Sequence, residues 1–84
     1  MRRDEILSEA KMLVCGDRAA QHGDHRETYD NVARLWSAYF GQEFDSHDVL
    51  VMMALMKIGR SIGRPGNSDN WVDACGYLSL AGEG

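Results

Sequence analysis

Apolar side chains recur at helical spacing along most of the chain. The first such stretch covers residues 4–15 and is followed by Gly16; its apolar positions are Ile6, Ala10, Leu13 and Val14. The second follows Asp24 and Glu27, which are spaced as in a capping box, and reaches about Gly41. Its apolar positions are Tyr29, Val32, Ala33, Trp36, Tyr39 and Phe40. These two patterns predict two amphipathic helices joined by a loop.

The central segment VLVMMALM is apolar at every position and follows Asp45 and Ser46, either of which can cap a helix. Its two valines also suit a strand, but its length and its methionines favour a helix. A helix that is apolar on all sides is typically surrounded by other helices. We therefore predict a third helix that lies inside the fold.

The segment GRPGNSDN interrupts the helical pattern with two glycines and the only proline. Asn67 or Ser68 can cap a fourth helix that reaches about Ala81. No repeat, charge block or low-complexity tract divides the sequence. We therefore predict an all-α fold, a single domain over residues 1–84 built as a compact bundle of about four helices.

The chain has 84 residues, a formal net charge of −4 and two cysteines. A chain this short buries only about 60–65% of its unfolded surface, so we expect it to assemble as a homo-oligomer. Its negative charge makes nucleic acid an unfavourable partner. No apolar segment reaches the roughly 20 residues that span a bilayer, so we expect no membrane partner and no export. Cys15 and Cys75 lie within apolar patterns, which predicts two buried thiols in a reducing cytosol.

Three cations follow the apolar core of the third helix. Lys57, Arg60 and Arg64 are spaced so that their charged ends leave the helix on one side. One interpretation is a binding site for a phosphate or a carboxylate. The alternative is that the cations interact with the carbonyl groups at the helix C-terminus.

Two carboxylates and a phenol share one side of the fourth helix, at Asp69, Asp73 and Tyr77. This spacing suits a hard cation such as Mg²⁺ or a ligand hydroxyl. The alternative, which we favour, is structural: acids stabilise the first turn of a helix, and Asp73 pairs with Lys57 or Arg60 across the short connection.

The loop GDRAAQHGDH is a third candidate site, because it carries Arg18, His22, Asp24 and His25 on a glycine-containing backbone. No third ligand stands at a suitable spacing, so we predict no metal here. The aromatic residues near the end of the second helix and the methionines of the third are expected mainly in the core; the alternatives are an interface between subunits for part of the aromatic surface and a partner-binding groove for the methionines. These residues are Trp36, Tyr39 and Phe40, and Met52, Met53 and Met56.

The segments GDRAAQHGD, VARLWSAYFG, DVLVMMALMKIGR and SDNWVDACGYLSLAGE, in this order, resemble a family of small tailed-phage proteins with a domain of unknown function, sometimes labelled MazG-like. The resemblance covers the chain from Glu9 to Glu83. It implies a phage or prophage origin, an all-helical fold and action in the cytoplasm of the bacterial host.

The wider MazG-like superfamily hydrolyses nucleoside triphosphates with Mg²⁺ held by an E-E-x-x-E segment and an E-x-x-D pair. By this resemblance, Glu27 and Asp30 would form one pair and Asp69 and Asp73 the other. The present sequence contains no E-E-x-x-E segment. We therefore predict no catalytic residues and no cofactor, with Mg²⁺ required only if the enzyme alternative holds.

We expect an accessory protein that binds a small anionic, nucleotide-like ligand, with a role in countering host defence. The ligand-binding residues predicted from the sequence are Arg18, His22, Asp24, Lys57, Arg60, Asp69, Asp73 and Tyr77. Two alternatives stay open: an interaction protein that inhibits a host defence or replication protein, and a reduced MazG-like pyrophosphatase. In each case self-association is expected.

Overall fold

The computed structural model of the chain describes residues 1–16 and 25–83. Within them it contains four helices and no strand: α1 (Arg3–Cys15), α2 (His25–Phe40), α3 (Ser46–Gly63) and α4 (Ser68–Gly82). The predicted all-α fold of four helices is confirmed, with helix ends close to the predicted positions. None of the described helices combines the length and the hydropathy needed to cross a bilayer.

Side-chain caps fix the starts of α3 and α4. The Asp45 carboxylate accepts a hydrogen bond from the backbone N–H of Asp48 at 2.8 Å, and the Asp48 carboxylate accepts one from the Asp45 N–H at 3.1 Å. The side chain of Asn67 accepts from the Asp69 N–H at 3.1 Å. Each cap satisfies N–H groups that have no acceptor within the helix. Asp24, the cap predicted for α2, lies outside the described residues.

The connection between α2 and α3 is held by one hydroxyl group. Ser37 donates to the carbonyl of Ala33 at 2.6 Å and accepts from the backbone N–H of Phe44 at 2.8 Å. Gly41 ends α2 with φ of 70°, a left-handed conformation that glycine adopts without strain. The chain therefore turns sharply and brings α3 back against α2.

α4 holds the fold together, because it packs against α3 most extensively and against α1 on another side, while α2 packs against α3. Gly76 allows the close approach of α1: a Cβ atom at this position would lie 3.4 Å from Val14 Cγ1 and 3.6 Å from Leu13 Cδ2. α2 also contacts α4 where the Tyr29 and Tyr77 rings meet edge to face.

The core is small, and Val49 is its one large side chain that is fully buried among the described residues. The other buried apolar residues are Ala10, Ala33, Leu50, Ala54, Val72 and Ala74. The prediction that α3 is surrounded by helices is wrong, since Leu55 is 58% exposed and Ile62 is 81% exposed. α2 and α4 cover only part of the circumference of α3.

Several other residues predicted in the core are exposed. Cys15 is exposed and Cys75 is half-buried, so the prediction of two buried thiols is wrong. Tyr39 and Phe40 are exposed, as is Met56. Trp36, Met52 and Met53 are half-buried. The physical reason is that each described helix packs along only part of its circumference, which leaves the apolar residues on its other sides in contact with water.

Candidate functional site

Lys57 and Asp73 form an ion pair between α3 and α4. Their Nζ and Oδ2 atoms lie 3.0 Å apart, and their side chains are 15% and 31% exposed. The predicted internal pairing of Asp73 with Lys57 is therefore confirmed. Because each group satisfies the other, the pair holds the two helices together, and this contact accounts for both charges without a ligand.

The neighbouring charged residues lie at the surface. Arg60 is exposed in the last turn of α3, and Arg64 caps its end. Asp69 is exposed in the first turn of α4, where a negative charge interacts favourably with the helix dipole. Arg60 and Asp69 thus lie between Lys57 and Asp73 in sequence and take no part in their ion pair.

A cleft of about 260 Å³ lies elsewhere, between the N-terminal ends of α2 and α3 and the C-terminal end of α4. Its lining combines basic, acidic, aromatic and aliphatic side chains. The lining residues are His25, Arg26, Tyr29 and Asp30 from α2, Ser46, His47 and Leu50 from α3, and Leu80, Ala81 and Glu83 from the end of the chain. We name this feature the α2–α3 cleft.

Two helix N-termini border the α2–α3 cleft, because His25 is the first residue of α2 and Ser46 is the first residue of α3. A helix N-terminus offers backbone N–H groups and the positive end of the helix dipole. His25 Nε2 lies 3.6 Å from a carboxylate oxygen of Glu83 and pairs with it when the histidine is protonated. The cleft therefore combines anion-binding groups with a carboxylate at its edge.

Tyr29 links the cleft to α4. Its ring meets the ring of Tyr77 edge to face, with centroids 6.3 Å apart and an interplanar angle of 84°. Burial of the phenol raises the pKa of Tyr29 above its usual value of 10.0, and the neighbouring Tyr77 phenol raises this pKa further. Tyr77, predicted from the sequence to bind ligand, thus lies behind a wall residue of the cleft.

Asp45, His47 and Asp48 form an exposed cluster whose ligand atoms lie within 4.8 Å of one another. The cap of α3 explains the two acids, since each carboxylate accepts a backbone N–H. The hydrogen bond from the Asp48 N–H is the main reason that the pKa of Asp45 is lowered. We therefore interpret the cluster as a helix cap beside the cleft.

The acidic pairs considered for Mg²⁺ lie at different places. Asp30 lines the cleft beside Leu80, near the end of α4, whereas Asp69 lies in the first turn of α4. Leu80 is eleven positions after Asp69 in the helix, which corresponds to roughly 16 Å along the axis. Asp73 is held by Lys57. Within a single chain, the carboxylates of Asp30, Asp69 and Asp73 therefore do not converge on one metal ion.

Three predicted ligand-binding residues, Arg18, His22 and Asp24, lie outside the described residues. Most of the cleft was not predicted from the sequence: His25 was named only as part of a loop, and Arg26 and His47 were not among the predicted ligand-binding residues. The sequence did place both histidines at predicted helix starts, since His25 follows Asp24 and His47 follows Asp45. Nothing in the pattern, however, indicates that the two helix starts lie together.

Comparison with known proteins identifies relatives of this chain. A family model described as a domain of unknown function (DUF6378) matches residues 5–84. The Gene 55 protein of Mycobacterium phage L5 is 42% identical over 76 residues, which cover 89% of this chain and 49% of that protein. The Gene 55 protein of Mycobacterium phage D29 is 38% identical over 74 residues, which cover 88% and 49%.

The chain spans about half the length of these curated relatives. No solved structure matches it. The resemblance to a phage family of unknown function is confirmed, whereas its MazG-like part stays a prediction. By the match over residues 5–84, the chain belongs to the DUF6378 family of domains of unknown function.

Proposed function

We propose that this domain belongs to a phage accessory protein and binds a small anionic, nucleotide-like ligand in the α2–α3 cleft. The observation that carries the proposal is the meeting of two helix N-termini with His25, Arg26 and His47 in one cleft. Backbone N–H groups and helix dipoles bind phosphate without requiring a special sequence motif. The proposed ligand site thus differs from the site at Lys57 and Arg60 predicted from the sequence.

The backbone of α3 supports a phosphate at this position. Asp45 accepts the N–H of Asp48, and its carbonyl accepts the N–H of Val49 at 3.1 Å. The N–H groups of Ser46 and His47 belong to the first turn, which has no acceptor within the helix. An anion in the cleft would accept hydrogen bonds from these groups and from the His47 imidazole.

The remaining lining suits the non-phosphate part of a nucleotide. Tyr29, Leu50 and Leu80 provide apolar surface for a base or a sugar, while Asp30 provides an acceptor for a ribose hydroxyl or a ring amine. A volume of about 260 Å³ is slightly below the range of roughly 300–1,000 Å³ that is typical of ligand sites. The size therefore favours a mononucleotide over a dinucleotide.

The relatives from two phages give this ligand a biological setting. A phage protein that binds a nucleotide without consuming it can lower the concentration of a nucleotide signal in the cytoplasm of the infected host. This role requires affinity and no catalysis, which fits the separation of Asp30 from Asp69. Counter-defence by sequestration is accordingly part of the proposal.

Calorimetric titration with mono-, di- and cyclic nucleotides and with inorganic phosphate tests the proposal. We expect a mononucleotide to bind, and Arg26→Ala to weaken binding about 10-fold or more, as expected for the loss of one charge-assisted hydrogen bond. Arg34→Ala is the matched control, since Arg34 is exposed on the same helix and lies outside the cleft lining. Absence of binding across the panel, or equal loss in both variants, would overturn the proposal.

A further inference from the structure

An apolar stripe runs along the outer side of α3. Val51, Leu55, Ile58 and Ile62 follow one another at intervals of four, three and four residues, the spacing of a coiled-coil seam. Leu55, Ile58 and Ile62 are all exposed. The stripe spans three helical turns and contains no charged residue. Its side chains are therefore arranged to pack against another helix that the described part of the chain does not supply.

α4 carries a matching stripe. Trp71, Cys75 and Leu78 follow at intervals of four and three residues; Trp71 and Leu78 are exposed, and Cys75 is half-buried. The Trp71 indole N–H donates to the Pro65 carbonyl at 3.0 Å, which fixes the ring beside the connection between α3 and α4. The indole face is thereby held in place at the surface.

The helical repeat places each stripe on a side of its helix that the other described helices leave uncovered. On α4, Gly76 faces α1, Asp73 faces α3 and Tyr77 faces α2, and the helical repeat places the stripe on the opposite side. A connection of four residues makes α3 and α4 antiparallel neighbours. On α3 the stripe lies about 130° round the axis from Lys57, away from α2. We call the two stripes together the α3–α4 face.

The surface area of the whole chain is larger than expected for a compact monomer. A folded monomer of 9.4 kDa is expected to expose about 5,000 Å², whereas this chain exposes 6193 Å². The excess, roughly 1,200 Å² over the whole chain, is of the same order as the approximately 800 Å² that each partner contributes to a standard interface. The radius of gyration, 13.6 Å, also exceeds the value of about 12 Å expected for a compact domain of this length.

We propose that the α3–α4 face binds the same face of a second copy, which forms a two-fold symmetric dimer with α3 and α4 of both chains at its centre. A two-fold interface must be complementary to itself, and a face without charge meets this condition even though each chain carries a net charge of −4. The heptad spacing of the stripes allows the side chains of α3 and α4 to interdigitate with those of the second copy. The dimer does not depend on the ligand proposed for the α2–α3 cleft.

Sedimentation of the purified chain tests the dimer. We expect a mass of about twice 9.4 kDa at micromolar concentration, and half of that mass for Ile62→Glu. Ile62 is 81% exposed, so the substitution leaves the fold of the single chain intact. Met12→Glu is the matched control, because Met12 is equally apolar and 69% exposed but lies on α1. This variant should remain dimeric.

A thiol-labelling measurement identifies the face directly. Cys75 lies in the α4 stripe and Cys15 lies on α1, and both thiols are free. We expect alkylation of Cys75 to slow as the protein concentration rises, while alkylation of Cys15 keeps its rate. A monomeric wild-type chain would overturn the proposal and leave the face to another segment or another protein. A dimer lost in Met12→Glu but kept in Ile62→Glu would also overturn it.

Discussion

Among single side chains, Lys57 and Asp73 have the clearest structural role. The Lys57 side chain is mostly buried, and its ammonium group reaches the Asp73 carboxylate on the neighbouring helix. A partly buried ion pair of this kind is costly to break from one side, because the remaining charge has no partner and is incompletely hydrated. The pair therefore sets the alignment of α3 against α4.

A double-mutant cycle with Lys57→Met and Asp73→Asn measures this contact. We expect each single variant to lower the free energy of unfolding, with a coupling energy of about 1–2 kcal/mol, between the values typical of exposed and buried pairs. Chemical denaturation gives the four free energies. The control cycle uses Arg60→Met and Asp69→Asn, whose coupling should stay below about 0.5 kcal/mol. A coupling near zero for Lys57 and Asp73 would contradict the structural role.

The sequence was informative about this pair and uninformative about the cleft. Lys57 and Asp73 lie on consecutive helices joined by a short connection, so their proximity follows from the chain itself. His25, His47 and Glu83 come from three separate parts of the sequence. Their proximity depends on how the helices pack, and the hydrophobic pattern of each helix carries no information about that.

At the scale of helices, the capping residues explain why the boundaries were predictable. Asp45 and Asn67 act through their immediate neighbours in sequence, so the pattern identifies them without tertiary structure. The exposure of Leu55 and Ile62 was not predictable, because periodicity shows which residues are apolar but not which helix covers them. α3 was expected inside the fold, whereas the four helices of residues 1–16 and 25–83 are too few to surround it.

Gly76 provides a test of helix packing. We expect Gly76→Leu to lower the free energy of unfolding by about 1–3 kcal/mol, because a side chain there would meet Val14 and Leu13 and force α1 away from α4. Thermal and chemical denaturation measure the change. Gly66→Ala is the control, since a Cβ atom at Gly66 meets nothing within 4 Å, and its effect should stay within about 0.5 kcal/mol. Equal stability of the two variants would contradict the packing of α1.

At the scale of the whole molecule, the two proposed surfaces use different sides of the same helices. The α2–α3 cleft is lined by α2 and by the ends of α3 and α4 that face it. The α3–α4 face lies on the sides of α3 and α4 that α2 leaves uncovered. Self-association would therefore complete the small core around α3 and α4 without closing the cleft. Tyr29 and Tyr77 connect the cleft to α4.

The pH dependence of stability tests the contact between Tyr29 and Tyr77. Because burial, with a smaller contribution from Tyr77, raises the pKa of Tyr29 in the folded chain, the unfolded chain loses this proton first as the pH rises. The protonated phenol therefore stabilises the folded chain fully below about pH 9. The free energy of unfolding should fall as the pH increases through about 10. Urea denaturation at a series of alkaline pH values measures this decrease.

Tyr29→Phe should make that alkaline decrease shallower, since phenylalanine has no proton to lose. Tyr39→Phe is the matched control: Tyr39 is 86% exposed on the same helix, so this substitution should leave the alkaline decrease unchanged. Lysine side chains also titrate at alkaline pH, but they contribute equally to the wild type and both variants. If Tyr29→Phe and wild type lose stability in parallel above pH 10, the phenol of Tyr29 is not held in its protonated form by the contact between α2 and α4.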